Sequence, residues 1–567
     1  MTRKFSRRQV VGGTAAGMAG MLALPACSSS GGEGETDASG RPIVTVQVVK
    51  DARALPMKEM PWTKALEEAS GCSITWIETP NDSWGNQKQA SLAAGDVADV
   101  TIGGYGAGDW GSYGSLFLDL APELEKMPNL SRTFKEAPLS RVVSTWQDKI
   151  YGGPTVAAGL MARASTHMFI NKTWLDKVGL PVPTTWSELR AAFEAFKTKD
   201  PNGNGEADEI PLTFAQPGTG GWGSFQANVL LGGSGISVSD GVLGMYARDG
   251  VVKSYVTDPA YKKLVEYLHG LYADGLISKE AFTQDWSQYT ASTKGEGATA
   301  SAGMTWMWTP SDIFGTELAD QYVTIPQLRP DDDQGASPVW SFNGLNLDYG
   351  ANRISIAANA KNKDAALKLV DAIYTPDMSV QMRYGSFDLA VKKNGENDYT
   401  VLEPSDASKN SADWQFMNSL ADAAPGWVAQ PGVTLTLPGQ LVEVRDVDAV
   451  YDENYANMDL NRDLVFGTAA LTTDEATQYS LNSTGIGQTV MSKFAQWVTK
   501  GGIEDEWDAY VADLERNNLG QQVELLQAAN DRFTQVLSDN GVDLNAEFDT
   551  TKHQWAENTD GTATLAQ

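Results

Sequence analysis

The sequence predicts an α/β protein of two lobes, followed by a mainly helical C-terminal region. Three observations support this fold class: a strand–helix–strand pattern that begins near residue 42, a second strand–helix block near residue 168, and helical periodicity in the last third. The chain has 567 residues, of which 42% are apolar, and this length exceeds what one hydrophobic core supports. We therefore expect more than one folded unit.

The first lobe is predicted from alternating, β-branched segments that flank a helical one. The segments are PIVTVQVV (42–49) and ITWIET (74–79), with PWTKALEEASG between them, which is the pattern of a βαβ unit. A further helix is expected to end near Gly95, and a short strand is expected at 97–102. Because such units form parallel strands, we expect a mostly parallel sheet in an N-terminal lobe covering residues 42–167.

A second lobe is predicted at residues 168–350. The sequence TWSE at 185–188 has the form of a capping box, and apolar residues recur behind it at helical spacing, so a helix should run into Asp200. The later segment NRISIAANAKNKDAALKLVDAIY is another strand–helix unit. The remaining predicted boundaries are a return to the first lobe at 351–400, a helical region completing both lobes at 401–548, and a polar tail at 549–567 that we expect to be disordered or loosely attached.

The N-terminus has the features of an export signal at residues 1–26. Basic residues, including the pair Arg7-Arg8, precede a Gly/Ala-rich apolar run that is too short for a stable membrane span. The run ends at LPAC, which resembles a bacterial lipobox, and the paired arginines resemble a Tat signal; together they imply lipid attachment at Cys27 after cleavage. Residues 27–41 are then predicted to be a flexible tether. The alternative is an ordinary secretory signal with a chance cysteine.

Composition and motifs argue against several classes of function. The formal charge of −29 disfavours nucleic acid and anionic membrane surfaces as partners. None of the 3 histidines lies in a zinc-protease motif, and GxSxG and P-loop motifs are missing from the sequence, so we predict no catalytic residues. The stretch GTGGWG (218–223) lacks a dinucleotide-binding context and is expected to lie as a loop against a ligand. Cys72 is expected to fill the core. A carboxylate pair as in glycoside hydrolases stays open, because among 72 acidic residues only geometry identifies one.

The stretch DPNGNGEADEIP, residues 200–211, has the spacing of a calcium-binding loop. With Asp200 as position 1, side-chain oxygens fall at positions 3, 5 and 9, a glycine occupies the turn position 6, and position 7 offers a carbonyl. Position 12, which usually supplies an acid, is Pro211, so Glu209 at position 10 is predicted to close the shell. Pro211 also favours an extended exit, which predicts a structural helix–loop–strand site. The alternative is an Asn-Gly-rich turn without metal. The predicted calcium ligands are Asp200, Asn202, Asn204, Glu206 through its carbonyl, Asp208 and Glu209.

Several segments together resemble family 1 extracellular solute-binding proteins, the lipid-anchored receptors of ABC importers, and among them a large oligosaccharide-binding subgroup with a calcium loop. The resemblance implies a two-lobe, type II periplasmic-binding-protein-like fold with a ligand cleft between the lobes. It also implies a monomeric, non-enzymatic receptor at the extracellular face of the cell membrane that hands an oligosaccharide to a permease. The alternatives are a lipid-anchored glycoside hydrolase, a calcium-stabilised adhesin, and a receptor for a peptide or glycopeptide. The segments are LAAGDVADV (92–100), MFINKTWLDKVGLPVPTTWSEL (168–189), LYADGLISKEAFTQD (271–285), NAKNKDAALKLVDAIY (359–374) and LLQAANDRF (525–533).

The resemblance also implies ligand-binding residues. The segment GATASAGMTWMW is similar to a pattern of maltose-binding relatives in which a tryptophan stacks on a pyranose, and it leaves Trp306 and Trp308 as alternatives. The segment GGYGAGDWGSYG falls where relatives place contacts of the N-terminal lobe, which implies Tyr105, Asp109 and Trp110. Sugars also need an aromatic floor with polar edges, although any given tryptophan is more often buried in a core. Further candidates lie beside glycine, proline or polar runs: Trp84, Trp222, Trp286, Trp340 and Trp427.

Overall fold

The protein forms two lobes, each with its own large hydrophobic core, and a smaller third core. The export signal, Cys27 and Trp222 lie outside the residues that the structure describes. The structure is a computed structural model, and it describes residues 34–216, 223–239, 241–333, 335–466 and 470–566.

The strands are short except for the first two. They are β1 (Ile43–Lys50), β2 (Ser73–Pro80), β3 (Val100–Ile102), β4 (Thr145–Trp146), β5 (Lys149–Ile150), β6 (Thr155–Val156), β7 (His167–Asn171), β8 (Ile210–Leu212), β9 (Met245–Arg248), β10 (Val251–Ser254), β11 (Ala302–Met307), β12 (Tyr322–Thr324), β13 (Ile354–Ile356), β14 (Val391–Gly395), β15 (Asp398–Val401), β16 (Gly426–Trp427), β17 (Thr434–Leu437), β18 (Trp555–Glu557) and β19 (Ala563–Ala566).

The helices cover the sheets and make up most of the last third, as the periodicity predicted. They are α1 (Trp62–Ser70), α2 (Asn81–Ala94), α3 (Ala107–Tyr113), α4 (Pro128–Glu136), α5 (Pro138–Ser144), α6 (Lys172–Val178), α7 (Trp186–Thr198), α8 (Pro259–Ala273), α9 (Trp286–Lys294), α10 (Pro310–Phe314), α11 (Gly344–Asp348), α12 (Lys363–Ile373), α13 (Pro376–Tyr384), α14 (Ser411–Asn418), α15 (Gly439–Ala449), α16 (Asp452–Tyr455), α17 (Thr473–Lys500), α18 (Ile503–Arg516), α19 (Leu519–Asp539) and α20 (Leu544–Glu547).

The first lobe is built on the sheet β13-β3-β1-β2. β1 pairs in parallel with β2 and with β3, so the predicted βαβ opening is confirmed, and β13 pairs antiparallel with β3. Val44, Val46 and Val48 of β1 are fully buried, and α1 packs against α12 over the same core. α2 ends before Gly95, whose φ of 68° is the left-handed conformation that glycine adopts without strain. Cys72 is buried in this core, as predicted.

The second lobe is built on the mixed sheet β12-β7-β11-β8. The central strand β11 pairs antiparallel with β7 and parallel with β8, and both of its faces are buried. The long helix α17 packs against α8. Its residues Phe494 and Trp497, with Leu526 of α19, belong to the core of this lobe. The C-terminal helices therefore extend the second lobe.

The chain end corrects one expectation from the sequence. The tail after residue 548 was expected to be disordered or loosely attached, but it forms β18 and β19 of the sheet β14-β15-β17-β19-β18. β19 pairs antiparallel with β17, and its side chains Ala563 and Leu565 are buried in the third core. The segment is polar overall, yet it alternates, and a strand needs only one apolar face for burial.

Among the described connections between the lobes, two crossing segments lie side by side. The first contains β6 and continues to Arg163, and the second returns from Asn343 to Arg353. Backbone hydrogen bonds join the two, from Thr155 N to Gly350 O (2.8 Å) and from Asn343 N to Arg163 O (2.9 Å). Paired crossing segments of this kind form a hinge, because the two lobes can rotate about them while the hydrogen bonds persist.

Candidate functional site

A cleft of about 1840 Å³ lies between the two lobes. Its first-lobe wall includes Arg53, which follows β1, and Arg383 near the end of α13. Its second-lobe wall includes Trp286 at the start of α9 and Trp308 just after β11. Asn343 of the returning crossing segment also lines the cleft. Both lobes and the hinge therefore face the same space, which is the arrangement expected of a ligand cleft.

Two of the predicted tryptophans lie on the cleft wall. Trp286 follows the N-cap Asp285, and its ring centroid is 5.5 Å from that of Phe225, which also lines the cleft. The carbonyl oxygen of Trp308 lies 2.7 Å from Nδ1 of His167, and this contact fixes the backbone where β11 ends. Both indole rings are partly exposed, so each can offer a face to a ligand.

Three other predicted tryptophans lie in the interior, which differs from the prediction. Trp306 is fully buried within β11 and packs edge-on against Phe214, because both faces of this central strand are covered. Trp340 stacks on Tyr451 at 3.8 Å and donates from Nε1 to the Thr166 carbonyl. Trp427 of β16 is also buried. Of the alternatives Trp306 and Trp308, the structure places Trp308 in the cleft.

The residues predicted from the glycine-rich segment after β3 form a separate aromatic cluster away from the cleft lining. Trp84 donates from Nε1 to the Gly104 carbonyl (2.6 Å), and its ring lies 5.5 Å from that of Tyr105. Trp110 packs on Phe117 at 4.8 Å. Asp109 accepts a hydrogen bond from the backbone of Gly106 and pairs with Lys88 at 3.1 Å. These four predicted residues are buried, and they hold α2 and α3 against the first lobe.

The sequence interpretation missed the charged residues of the cleft. The Arg53 guanidinium contacts the carboxylates of both Asp51 (2.9 Å) and Asp413 (3.0 Å). Burial raises the pKa of Asp312, which lies on the opposite wall. These side chains come from segments that are far apart in sequence, so no local spacing marks them as one site.

Arg383 lies in the same wall and reaches Asp422 at 3.0 Å. Its Nε atom is buried and has no hydrogen-bond partner among the described residues. The cleft therefore offers buried N–H donors as well as aromatic faces, which is the combination that a polar ligand with apolar patches requires.

The predicted calcium loop adopts a tight turn between α7 and β8. Both oxygens of the Asp200 carboxylate accept hydrogen bonds within the loop, from the backbone N–H groups of Gly203 (2.9 Å) and Gly205 (3.1 Å). The side-chain amides of Asn202 and Asn204 both donate to Asp208 at 2.9 Å. The helix, the loop and the extended exit follow the order that the sequence predicted.

The carboxylate of Glu209 is not fully hydrogen-bonded within this loop. The Oε1 atom of Glu209 is buried without a hydrogen-bond partner among the described residues, and burial raises the pKa of this carboxyl. A cluster of three or more His, Cys, Asp or Glu side chains placed as metal ligands is not found in the described part of the chain. The predicted ligand set includes three such side chains, Asp200, Asp208 and Glu209, and in this structure they are not gathered into one cluster.

Among the described residues, no helix is both long enough and apolar enough to cross a bilayer.

Comparison with known proteins agrees with this architecture. The family model of the bacterial extracellular solute-binding proteins matches residues 57–379. The fructooligosaccharide ABC transporter substrate-binding protein FusA of Streptococcus pneumoniae is 28% identical over 491 residues, which cover 82% of this chain and 86% of FusA.

Solved structures of solute-binding proteins are also similar to this fold. An extracellular solute-binding protein from Bifidobacterium longum subsp. infantis has a TM-score of 0.83 and 37% identity, and the match covers 88% of this chain and 100% of that one. An HMO-binding, ABC-transporter-associated solute-binding protein from Bifidobacterium longum infantis has a TM-score of 0.82 and 36% identity, with coverage of 87% and 99%. The two-lobe fold, the cleft and the family match lead to one conclusion: this chain belongs to the bacterial extracellular solute-binding protein family.

Proposed function

We propose that this protein captures an oligosaccharide in the cleft between its lobes and delivers it to the membrane subunits of an ABC importer. The observation that carries the proposal is the cleft itself, which holds Trp286 and Trp308 on one wall and arginines on the other. The names of FusA and of the HMO-binding relative support an oligosaccharide as the ligand class.

The size and lining of the cleft fit a chain of several sugar units. Its volume of about 1840 Å³ exceeds the roughly 300–1,000 Å³ of a site for one small molecule. Sugar rings present apolar C–H faces, which pack on indole rings, and hydroxyl edges, which need hydrogen-bond partners. The partly exposed tryptophans supply the first kind of contact, and Arg53, Arg383 and Asn343 supply the second.

Ligand capture is coupled to closure of the two lobes. A sugar that contacts both walls stabilises the closed form, because the contacts of the second wall are made only in that form. The hydrogen-bonded crossing segments provide the hinge. A permease that recognises the closed form would then distinguish loaded from empty receptor.

We also propose that the loop at 200–211 holds one structural Ca²⁺ ion. The ligands would be Asp200, Asn202, Asn204, Asp208 and Glu209, with the carbonyl of Glu206. Support comes from Oε1 of Glu209, which is buried without a partner among the described residues, and from the carboxylates of Asp200 and Asp208, which accept hydrogen bonds from N–H groups of the same loop. All ligands come from one loop, so the ion would stabilise the fold and take no part in ligand chemistry.

The features of the N-terminal segment support a lipid anchor at Cys27 after removal of residues 1–26. The twin arginines support export by the Tat route. The anchored receptor would face the outside of the cell membrane and act as a monomer. It would act on its ligand by binding alone, without catalysis.

The proposal is tested by thermal unfolding of the purified protein against a panel of neutral and acidic oligosaccharides and of peptides. We expect one glycan class to raise the melting temperature, because a ligand that binds only the native state must stabilise it. The sugars are then recovered and analysed by chromatography, and they should be intact. Shortened sugars would indicate a glycoside hydrolase, and stabilisation by peptides alone would indicate a peptide receptor; either result overturns the proposal.

A further inference from the structure

Arg353 occupies a fixed position at the hinge side of the cleft. It lies at the end of the returning crossing segment, just before β13, and it lines the cleft. Its backbone N–H donates to the Gly153 carbonyl (2.8 Å), and its own carbonyl accepts from the Gly103 N–H (2.8 Å). These bonds tie Arg353 to the first crossing segment and to the loop after β3, so the backbone that carries the side chain is held on both sides.

The Arg353 guanidinium makes no hydrogen bond or ion pair of its own among the described residues. Its Nε atom is buried without a hydrogen bond, and neither an ion pair nor a side-chain hydrogen bond of Arg353 is found within the described residues. The group packs closely on Gly350, where an added Cβ would lie 2.6 Å from Nε of Arg353. Burial lowers the pKa of Arg353, since the charged form is desolvated. The residue as a whole is partly buried, and a desolvated guanidinium whose Nε lacks a hydrogen bond favours a negatively charged partner.

The other charges of the first-lobe wall do not supply that partner. The Arg53 guanidinium already forms ion pairs with two carboxylates, those of Asp51 and Asp413. Arg383 is paired with Asp422, a side chain with 57% of its surface exposed, and Arg383 lies near enough to Arg353 to disfavour the charge there further. Asp422 also acts on Arg353, so this exposed carboxylate serves both guanidinium groups. The buried carboxyl of Asp348 lies near Arg383 as well, but burial raises the pKa of Asp348 well above its ordinary value, which disfavours its charged form. This leaves a local excess of positive charge in a protein whose formal charge is −29.

We propose that Arg353 binds the carboxylate of an acidic sugar residue, and that the ligand of this receptor is therefore an acidic oligosaccharide. This inference rests on the proposed function. Neutral hydroxyl groups could accept hydrogen bonds from Arg353 but would leave its charge uncompensated, whereas a carboxylate accepts two parallel N–H bonds from a guanidinium and neutralises it. Because the protein as a whole repels anions, the local charge also determines where along the cleft the acidic unit lies.

The test is isothermal titration calorimetry of the full-length protein with matched pairs of sugars. The pairs are sialyllactose with galactosyllactose and trigalacturonate with galactotriose, so that the two arms distinguish a sialic acid from a hexuronic acid. We expect the acidic member of one pair to bind at least about tenfold more tightly than its neutral counterpart. In Arg353→Gln this preference should disappear, while the affinity for the neutral member changes by less than about threefold. Arg516→Gln, a matched substitution of an exposed arginine on α18, should keep the full preference.

A second measurement separates this role from a structural one. If Arg353 serves ligand binding and not the fold, Arg353→Met should have a melting temperature at or above that of the wild-type protein without sugar, because a desolvated guanidinium with an unbonded Nε has been removed. A melting temperature that falls by several degrees would show that Arg353 stabilises the fold, and would overturn the inference. So would neutral sugars that bind as tightly as acidic ones, or a preference that survives in Arg353→Gln. A protein that binds neither member of any pair, nor any sugar of the wider panel, overturns the proposed function itself.

Discussion

Trp308 and Trp306 are two residues apart, yet the structure gives them different roles. Trp306 lies inside β11, where the neighbouring strands β7 and β8 and the covering helices bury its whole surface. β11 ends at Met307, so Trp308 leaves the sheet and reaches the cleft wall. Spacing alone left the choice between them open, because the end of a strand cannot be located to one residue from sequence.

The first prediction concerns the contribution of Trp308 to ligand binding. We expect Trp308→Ala to weaken the binding of the cognate oligosaccharide by about fivefold or more, since the loss of a central aromatic contact typically costs upwards of about 1 kcal/mol. The measurement is the Kd by calorimetry, with the melting temperature as a check on folding.

Trp146→Ala serves as the matched control for this substitution. Trp146 is partly buried like Trp308, but it belongs to the aromatic cluster of the first lobe and does not line the cleft. Its substitution should leave the Kd unchanged within about twofold. Equal losses in both variants would mean that Trp308 acts through general stability, and the stacking role would have to be abandoned.

Among single residues, the sequence identified candidate aromatic side chains but not their surroundings. Trp286, beside a polar run, and Trp84, beside a glycine, were selected by the same criterion, yet Trp286 lines the cleft and Trp84 is buried against Tyr105. The charged residues Arg353 and Arg383 have no local signature at all. They become a site only because the returning crossing segment and α13 meet at the hinge, and that is a long-range property.

The predicted calcium loop, residues 200–211, is the element whose backbone the sequence described most completely. Its turn requires left-handed backbone at Gly203 (φ 79°) and Gly205 (φ 83°), and glycine adopts this conformation without strain. Such local conformational requirements are encoded in adjacent residues, so they can be read without knowledge of the fold. Asp200 also has a positive φ of 47°, which is uncommon outside Asn, Asp and glycine.

The second prediction is that removal of calcium destabilises the protein. At a free Ca²⁺ concentration of about 100 times the Kd, an ion that binds only the native loop stabilises the fold by about 2.7 kcal/mol. A chelator should therefore lower the melting temperature, and added Ca²⁺ should restore it. Glu209→Gln should lose most of this response, because it removes the buried charge that closes the shell.

Substitution of the other glutamate of the loop distinguishes side-chain from backbone ligation. Glu206 is exposed and is expected to contribute only its carbonyl, so Glu206→Gln should keep the full response to calcium. If the wild-type melting temperature is indifferent to the chelator, the loop is an Asn-Gly-rich turn without metal. If Glu206→Gln loses the response as Glu209→Gln does, the proposed set of ligands is wrong.

At the scale of the whole molecule, the two-lobe α/β architecture followed from the sequence but the third sheet did not. The βαβ opening has long, regular strands, and its pattern is local. The third sheet instead joins strands from residues 391–401, 434–437 and the chain end, each only three to five residues long. Strands this short contain too few alternations to be distinguished from loops, and the pair β17–β19, which brings the chain end into the sheet, joins residues more than a hundred positions apart.

The chain end also connects this sheet to the hinge. Trp555 of β18 donates from Nε1 to the carbonyl of Gly159 on the first crossing segment (3.0 Å). Phe548, just before the tail, packs edge-on against Tyr349 of the returning segment and against Phe342, which directly precedes that segment. The last residues therefore brace both crossing segments, and their loss should affect the molecule well beyond the tail.

The last prediction tests this bracing role. Leu565 of β19 is 1% exposed and pairs with Leu435 of β17, so Leu565→Ala should reduce the free energy of unfolding by about 2–5 kcal/mol through lost burial and the cavity left behind. Leu481→Ala, on the surface of α17 with 67% exposure, should change it by less than about 0.5 kcal/mol. Both are measured by calorimetry and chemical denaturation. Deletion of residues 549–567 should have the larger effect, because it also uncovers the edge of β17 and removes the contact with Gly159. A truncated protein as stable as the full chain would show that the tail is a passive addition to a sheet that is already complete.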